Sequence, residues 1–183
     1  MTTATYQSYQ LWRSWLGRHP GLFFPVFALQ RRLQRRYRLP DVGPRAVRRD
    51  TELVIEGFPR SANTFALVAF EAMQDRPVRV AHHLHSAAQV LRAVEWGIPA
   101  LVLVREPRDA IVSQHIYLGG KVTLATCARI YIDFHEPLVD SLDRLLVADF
   151  ATVTDDWPAV MAALNRKYGT TFAVQAKIGT AHV

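Results

Sequence analysis

The 183-residue chain contains one cysteine, Cys127. A single thiol cannot close an intrachain disulfide or build a multi-cysteine zinc site, and it fits a reducing compartment, so a cytoplasmic location is expected. No stretch approaches the roughly 18 uncharged apolar residues that a spanning helix requires. Internal repeats and low-complexity tracts are also missing, which removes collagenous, coiled-coil and solenoid architectures. Apolar residues make up 50% of the chain and charged residues 21%, proportions that argue against wholesale disorder. At this length a chain buries about two-thirds of its unfolded surface, so it needs no metal or disulfide staple.

Acidic residues are scarce at the start. The first fifty positions hold ten Arg and two Asp, a net charge of +8, whereas residues 51–183 hold twelve Lys and Arg against fourteen Asp and Glu, a net charge of −2. The turn-rich segment Pro40-Asp41-Val42-Gly43-Pro44 marks the change. Residues 1–44 therefore read as a basic, partly apolar helical arm, and residues 45–183 as an α/β body. Within the arm an apolar run, Gly21 to Leu29, precedes a basic run, Gln30 to Arg38. The apolar run is too short to span a bilayer, and it makes a poor secretory signal, because Pro25 interrupts it and arginines follow in place of a small-residue cleavage site. Three readings of the arm stand side by side. Residues 12–38, with Trp12, Trp15 and Leu16, form a peripheral membrane anchor; or the arginines bind nucleic acid without sequence specificity; or an aromatic helix face packs on the body while the arginines are solvated.

The body alternates two periods. Strands are predicted at Glu52–Gly57, Val78–His82, Ala100–Val104 and Leu145–Asp149. Helices are predicted at Asn63–Met73, at Ala87–Trp96 with Ser86 as N-cap and Gly97 as stop, and from Pro107 to about Leu118. A long helical stretch from Thr123 breaks at Pro137, and a last helix covers about Asp156 to Tyr168. Regular alternation predicts a doubly wound, mostly parallel sheet flanked by helices.

In such sheets ligands bind at the carboxyl ends of the strands. After the first strand comes Gly57-Phe58-Pro59-Arg60-Ser61-Ala62-Asn63-Thr64-Phe65. Its spacing approaches a phosphate loop, with Thr64 retained and Ala62 and Asn63 in place of the usual Gly and Lys. A strand–loop–helix turn aims backbone N–H groups and the helix dipole at an anion. Asn63 at the Lys position disfavours a kinase or NTPase, because that ammonium reaches the β- and γ-phosphates. The third strand ends in Arg105-Glu106-Pro107-Arg108-Asp109, with Ser113 eight residues after Arg105. A guanidinium and a hydroxyl there can clamp a second phosphate; an ion pair from Asp109 to Arg105 or Arg108 is the plainer alternative.

The two segments together resemble the sulfotransferases that use 3′-phosphoadenylyl sulfate (PAPS). Gly57–Phe65 is similar to their 5′-phosphosulfate loop, and Arg105 to Ser113 to their 3′-phosphate motif. The resemblance covers about Glu52 to Gly169. It implies a sulfotransferase-type P-loop fold, PAPS as sulfuryl donor, and transfer to a hydroxyl or amine of a small-molecule, glycan or lipid acceptor. It implies that the backbone of Arg60, Ser61, Ala62, Asn63, Thr64 and Phe65 surrounds the phosphosulfate and that Arg105 and Ser113 hold the 3′-phosphate. Family members continue into a basic, glycine-containing lid; Ala176-Lys177-Ile178-Gly179 matches it weakly, so the domain is expected to lack that segment.

The resemblance also implies a catalytic histidine in Ala81-His82-His83-Leu84, where His83 takes the position. An imidazole with pKa near 7 suits removal of the acceptor's proton. His82 should matter less than His83, because adjacent strand residues face opposite ways. Arg60 stands where a cation stabilises the leaving phosphate. His82, His83 and His85 lack zinc-ligand spacing, and no metal is expected. If Ala62 needs positive φ, its side chain costs about 1–2 kcal/mol. A relative that binds nucleotide or membrane without turnover is the rival expectation, and a P-loop kinase or NTPase the second.

Overall fold

A computed structural model describes residues 2–36 and 45–175. The segment from Pro40 to Pro44 and the weak lid match at Ala176 to Gly179 lie outside the described residues. The arm forms α1 (Thr3–Leu16) and α2 (Pro20–Arg36). The body then runs β1 (Leu53–Gly57), α3 (Asn63–Met73), β2 (Val80–His82), α4 (Ala87–Trp96), β3 (Ala100–Val104), α5 (Pro107–Tyr117) and α6 (Leu124–His135). A 3₁₀ segment (Glu136–Arg144) leads into β4 (Leu146–Asp149), α7 (Phe150–Asp155) and α8 (Trp157–Tyr168).

The four strands form one parallel sheet in the order β2-β1-β3-β4. Alternate residues of β1 feed two cores, as a period of two requires. Leu53 and Ile55 join Ala66, Phe70, Val160 and Leu164 beneath α3 and α8. Val54 faces the other way, with Val90 and Ala93 of α4, Phe134 and Leu138. Both faces are covered, so β1 is buried throughout and tolerates a continuous apolar run. The doubly wound α/β expectation matches this arrangement. The chain steps from β1 outward to β2, then crosses back to pair β3 on the other side of β1. That reversal leaves a crevice between the carboxyl ends of β1 and β3, the switch point at which open α/β sheets bind ligands.

The arm packs on the body. Leu16 and Phe23 are buried against Leu84 and Ala88, with Phe24 and Phe27 beside them. Ser14 Oγ donates to Asp133 Oδ2 at 2.5 Å, and Arg18 pairs with Asp133 at 2.9 Å and Glu136 at 2.6 Å. Ser86 occupies the N-cap position of α4, yet its hydroxyl donates to the carbonyl of Gly17 at 3.2 Å and makes no cap bond. Among the described residues no helix is long and apolar enough to cross a membrane.

Candidate functional site

The loop from β1 to α3 is set by one close approach and two left-handed residues. Gly57 pairs with Leu103 across β1 and β3. A Cβ at Gly57 would lie 2.6 Å from the Leu103 carbonyl oxygen and 2.9 Å from Leu103 Cβ, so only glycine fits. Arg60 (φ 71°) and Ala62 (φ 65°) then turn the chain through the left-handed region. The condition attached to Ala62 is met, with its cost of about 1–2 kcal/mol. Ala62 is the N-cap of α3 and provides no side-chain cap, so the first N–H groups of that helix keep their free hydrogen-bonding capacity on the protein side. Asn63 turns inward, donating Nδ2 to the Phe58 carbonyl at 3.0 Å. The buried Ser61 Oγ and Asn63 Oδ1 have no hydrogen-bond partner.

Two guanidinium groups meet over this loop. Arg60 Nε donates to Ser113 Oγ at 3.2 Å, and Arg105 Nη1 donates to the Arg60 carbonyl at 3.1 Å. Each cation lies on an aromatic face: Arg60 is 5.0 Å from the Tyr117 ring centroid, and Arg105 is 4.5 Å from that of Phe150. Tyr131 donates its hydroxyl to the Arg105 carbonyl at 3.1 Å, fixing the backbone where β3 ends. Among the described residues no ion pair joins Asp109 to Arg105 or Arg108; the backbone N–H of Asp109 is instead capped by the Glu106 carboxylate at 2.9 Å. Arg60, Arg105 and Ser113, distant in sequence, therefore share one site. Phe65 stands at its edge, 43% exposed, with its ring edge-on to Trp157.

His83 and His85 line the same cleft, a space of about 520 Å³ bounded also by Thr64, Phe65 and Phe150. Their arrangement differs from the alternation expected of a strand. β2 ends at His82, and His83 (φ 58°) and His85 (φ 49°) are both left-handed. The rings of His82 and His83 therefore meet, Nδ1 to Nδ1 at 2.8 Å, where a continuing strand would have separated them. His83 Nε2 lies 3.2 Å from Thr64 Oγ1. When His83 donates its Nδ1 proton to His82, its Nε2 is a bare acceptor facing the Thr64 hydroxyl. His85 must carry its proton on Nδ1, because the partner at 2.8 Å is the Gly57 carbonyl.

Burial disfavours the charged form of all three rings. It lowers His83 below its ordinary value and pushes His82 and His85 down to about 4. His83 thus lies below the pKa near 7 that the sequence reading attached to a base. A lower value weakens its pull on a proton but favours the unprotonated ring that can act as a base. Beneath the histidines Glu56 is fully buried, facing α4 beside Val54. Desolvation pushes its carboxyl up to about 8, against the pull of hydrogen bonds from Leu84 N (2.7 Å), His85 N (3.0 Å) and Gln89 Nε2 (2.7 Å). Glu56 therefore pins the left-handed loop that carries His83. Among the described residues no three His, Cys, Asp or Glu side chains are placed to hold a metal ion.

Several contributors escaped the sequence reading. Phe150 follows the carboxyl end of β4, where strand-end logic reaches it, and Tyr117 lies one helical turn beyond Ser113. Gln10 and Arg13 enter the cleft wall from α1, a long-range placement that no local pattern announces.

No family model matches the chain, and no curated protein matches it in sequence. Among solved structures, the crystal structure of mouse sulfotransferase SULT7A1 complexed with PAP is similar, with a TM-score of 0.50 at 15% identity. The match covers 68% of this chain and 60% of that one, so the likeness spans less than two-thirds of that protein. At this identity the shared feature is the fold: the chain has a sulfotransferase-like α/β sheet.

Proposed function

We propose that the protein binds a 3′-phosphoadenylyl nucleotide and transfers a sulfuryl group from PAPS to a hydroxyl or amine acceptor. The observation that carries this reading is the meeting of Arg60, Arg105 and Ser113 over a left-handed loop at the switch point of the sheet. A single phosphate needs one cradle. Here a loop with uncapped helix N–H groups and an Arg–Ser pair on the neighbouring strand offer two, which suits a nucleotide with phosphates at two separated positions. The unpartnered Ser61 Oγ supports the fit, since a buried hydroxyl without a partner is costly unless a ligand completes it. PAP in the structural neighbour agrees with this choice.

PAPS supplies the activated sulfuryl group and a phosphate leaving group. The chain's residues hold and polarise. The backbone N–H groups of Asn63, Thr64 and Phe65 and the Arg60 guanidinium offer positive charge where the leaving phosphate develops its own. Arg105 and Ser113 orient the nucleotide through its 3′-phosphate. His83, held between His82 and Thr64, accepts the acceptor's proton at Nε2 in the tautomer that donates Nδ1–H to the His82 ring.

The test compares 3′,5′-ADP with 5′-AMP and GDP in a calorimetric titration of wild type and Arg105→Ala. Loss of a charge-assisted pair should cost about 2–4 kcal/mol for 3′,5′-ADP and little for 5′-AMP. Equal losses would remove Arg105 from the 3′-phosphate. Transfer of labelled sulfate from PAPS to phenols, sugars and lipids then separates an enzyme from a nucleotide-binding protein without turnover.

A further inference from the structure

The second helix of the arm has two apolar faces, and the body covers only one. Phe23, Phe24 and Phe27 turn inward. Leu22, Val26, Leu29 and Leu33 recur at i, i+4, i+7 and i+11, an arc of about 60° at 100° per residue. They are 52%, 38%, 59% and 47% exposed. An exposed helix face ordinarily carries polar side chains, so a four-residue aliphatic stripe in water needs a partner. Its surroundings state the chemistry of that partner. Arg32 and Arg36 are exposed on the same helix. On the inward side of α2 a groove of about 650 Å³ is lined by Phe24, Phe27 and Ala28, by Arg31, Arg32 and Arg45, and by the Arg48–Asp50 pair. Residues 1–40 hold seven Arg and no Asp or Glu. On α1, Trp12 and Trp15 are also half-exposed, the residue type that settles at a membrane–water boundary.

We propose that the outer face of α2 docks in the plane of an anionic phospholipid bilayer. The stripe enters the acyl boundary and the arginines meet lipid phosphates. A nucleic acid would use the arginines but leave the leucines in water. A second copy of the chain would set one acid-free arm against another, and like charges oppose that pairing. The inference is independent of the nucleotide site.

The test is sedimentation of the full chain with phosphatidylcholine vesicles and with vesicles containing phosphatidylserine, beside Leu29→Asp/Leu33→Asp. Wild type should bind only the anionic vesicles and be released as salt rises. The double variant should bind about a hundredfold more weakly, near tenfold per leucine, with its melting temperature unchanged. If that variant melts low, Leu29→Ser alone carries the comparison, with an expected loss of about fivefold. Equal binding to both vesicle types, undiminished binding by the variants, or no vesicle binding by wild type would each overturn the proposal. So would a wild-type oligomer that the double variant splits, or a duplex oligonucleotide bound equally by wild type and variant in place of vesicles.

Discussion

Replacing Gly57 with alanine should damage the protein twice. The added Cβ would sit 2.6 Å from the Leu103 carbonyl oxygen and 2.9 Å from Leu103 Cβ, both anchored in a buried strand. To reach an ordinary contact, β1 must retreat from β3 by roughly 0.4–0.8 Å. Overpacking of this kind costs about 1–3 kcal/mol and sometimes more. The upper end applies here, because the ladder bonds between the two strands lengthen with the retreat. Urea unfolding reads the loss: at a slope of about 2 kcal/mol per molar, a cost of 3 kcal/mol moves the midpoint down by about 1.5 M with the slope unchanged. The same retreat carries the phosphate loop away from Arg105, two residues beyond Leu103. Sub-ångström misplacement of positioning groups should then lower 3′,5′-ADP affinity in whatever fraction remains folded. Gly97→Ala is the control. Gly97 (φ 69°) has nothing within 4 Å, so its cost is conformational alone, about 1–2 kcal/mol. A Gly57→Ala protein within 0.5 kcal/mol of wild type would refute the close approach of β1 and β3 on which the loop geometry rests.

Three further outcomes follow from the site. Ala62→Gly relieves left-handed strain of about 1–2 kcal/mol and gives back about 0.4–1 in chain entropy and a little methyl burial, so it should stabilise by about 0.5 kcal/mol; Ala62→Val should destabilise, and a urea midpoint series checks both signs. His83→Ala should leave 3′,5′-ADP affinity unchanged and lower sulfate transfer by about 10²–10⁴-fold, while His82→Ala, which removes only the partner of His83 Nδ1, should lower transfer by less; identical variants in the labelled-sulfate assay would exclude His83 as base. Stability should peak near pH 6.5. Glu56, raised to about 8, takes up a proton only in the folded state, so its contribution is complete below 4.5 and fades as pH climbs to 8. His82 and His85, lowered to about 4, act oppositely: their contribution is complete above 6.5 and is lost as pH falls through 4. Two histidines outweigh one carboxyl on the acid side; Glu56→Gln should remove a fall of about 1.4 kcal/mol per pH unit between 4.5 and 8, flattening the alkaline limb and steepening the acid one.

The parts of the fold that were legible are those where local pattern and tertiary demand agree. Ala100–Val104 is a strand with the expected ends, since a wholly apolar run between Pro99 and Arg105 leaves no other choice. Ala87–Trp96 likewise has the expected bounds, because Gly97 supplies a left-handed stop. α7 was missed although Asp149 accepts from Thr152 N at 3.0 Å, a cap readable three residues ahead. The stretch after Pro137 is a 3₁₀ segment because proline removes the donor that would continue α6. In the site, Arg60, Arg105 and His83 could be named because each follows a strand end, and Ser113 through its spacing from Arg105 on the next helix. The contact of His82 with His83 could not, since His83 turns left-handed directly after the strand ends, where alternation no longer holds. Nor could Ser86's choice of Gly17, which depends on a helix seventy residues away.

The bonds from Ser14 and Arg18 to Asp133 also impose a schedule on synthesis. The arm is made first, yet its anchor is made about 115 residues later. At ribosomal rates of about 5–20 residues per second, α1 waits roughly 6–25 s for that anchor, and Leu16 and nearby Phe23 wait roughly 3–14 s for Leu84 and Ala88. During that interval the nascent chain presents an apolar, arginine-rich segment with no body to fold against. A chaperone or a nearby surface can claim it then, so the order of manufacture decides which partner the arm meets before it meets its own protein.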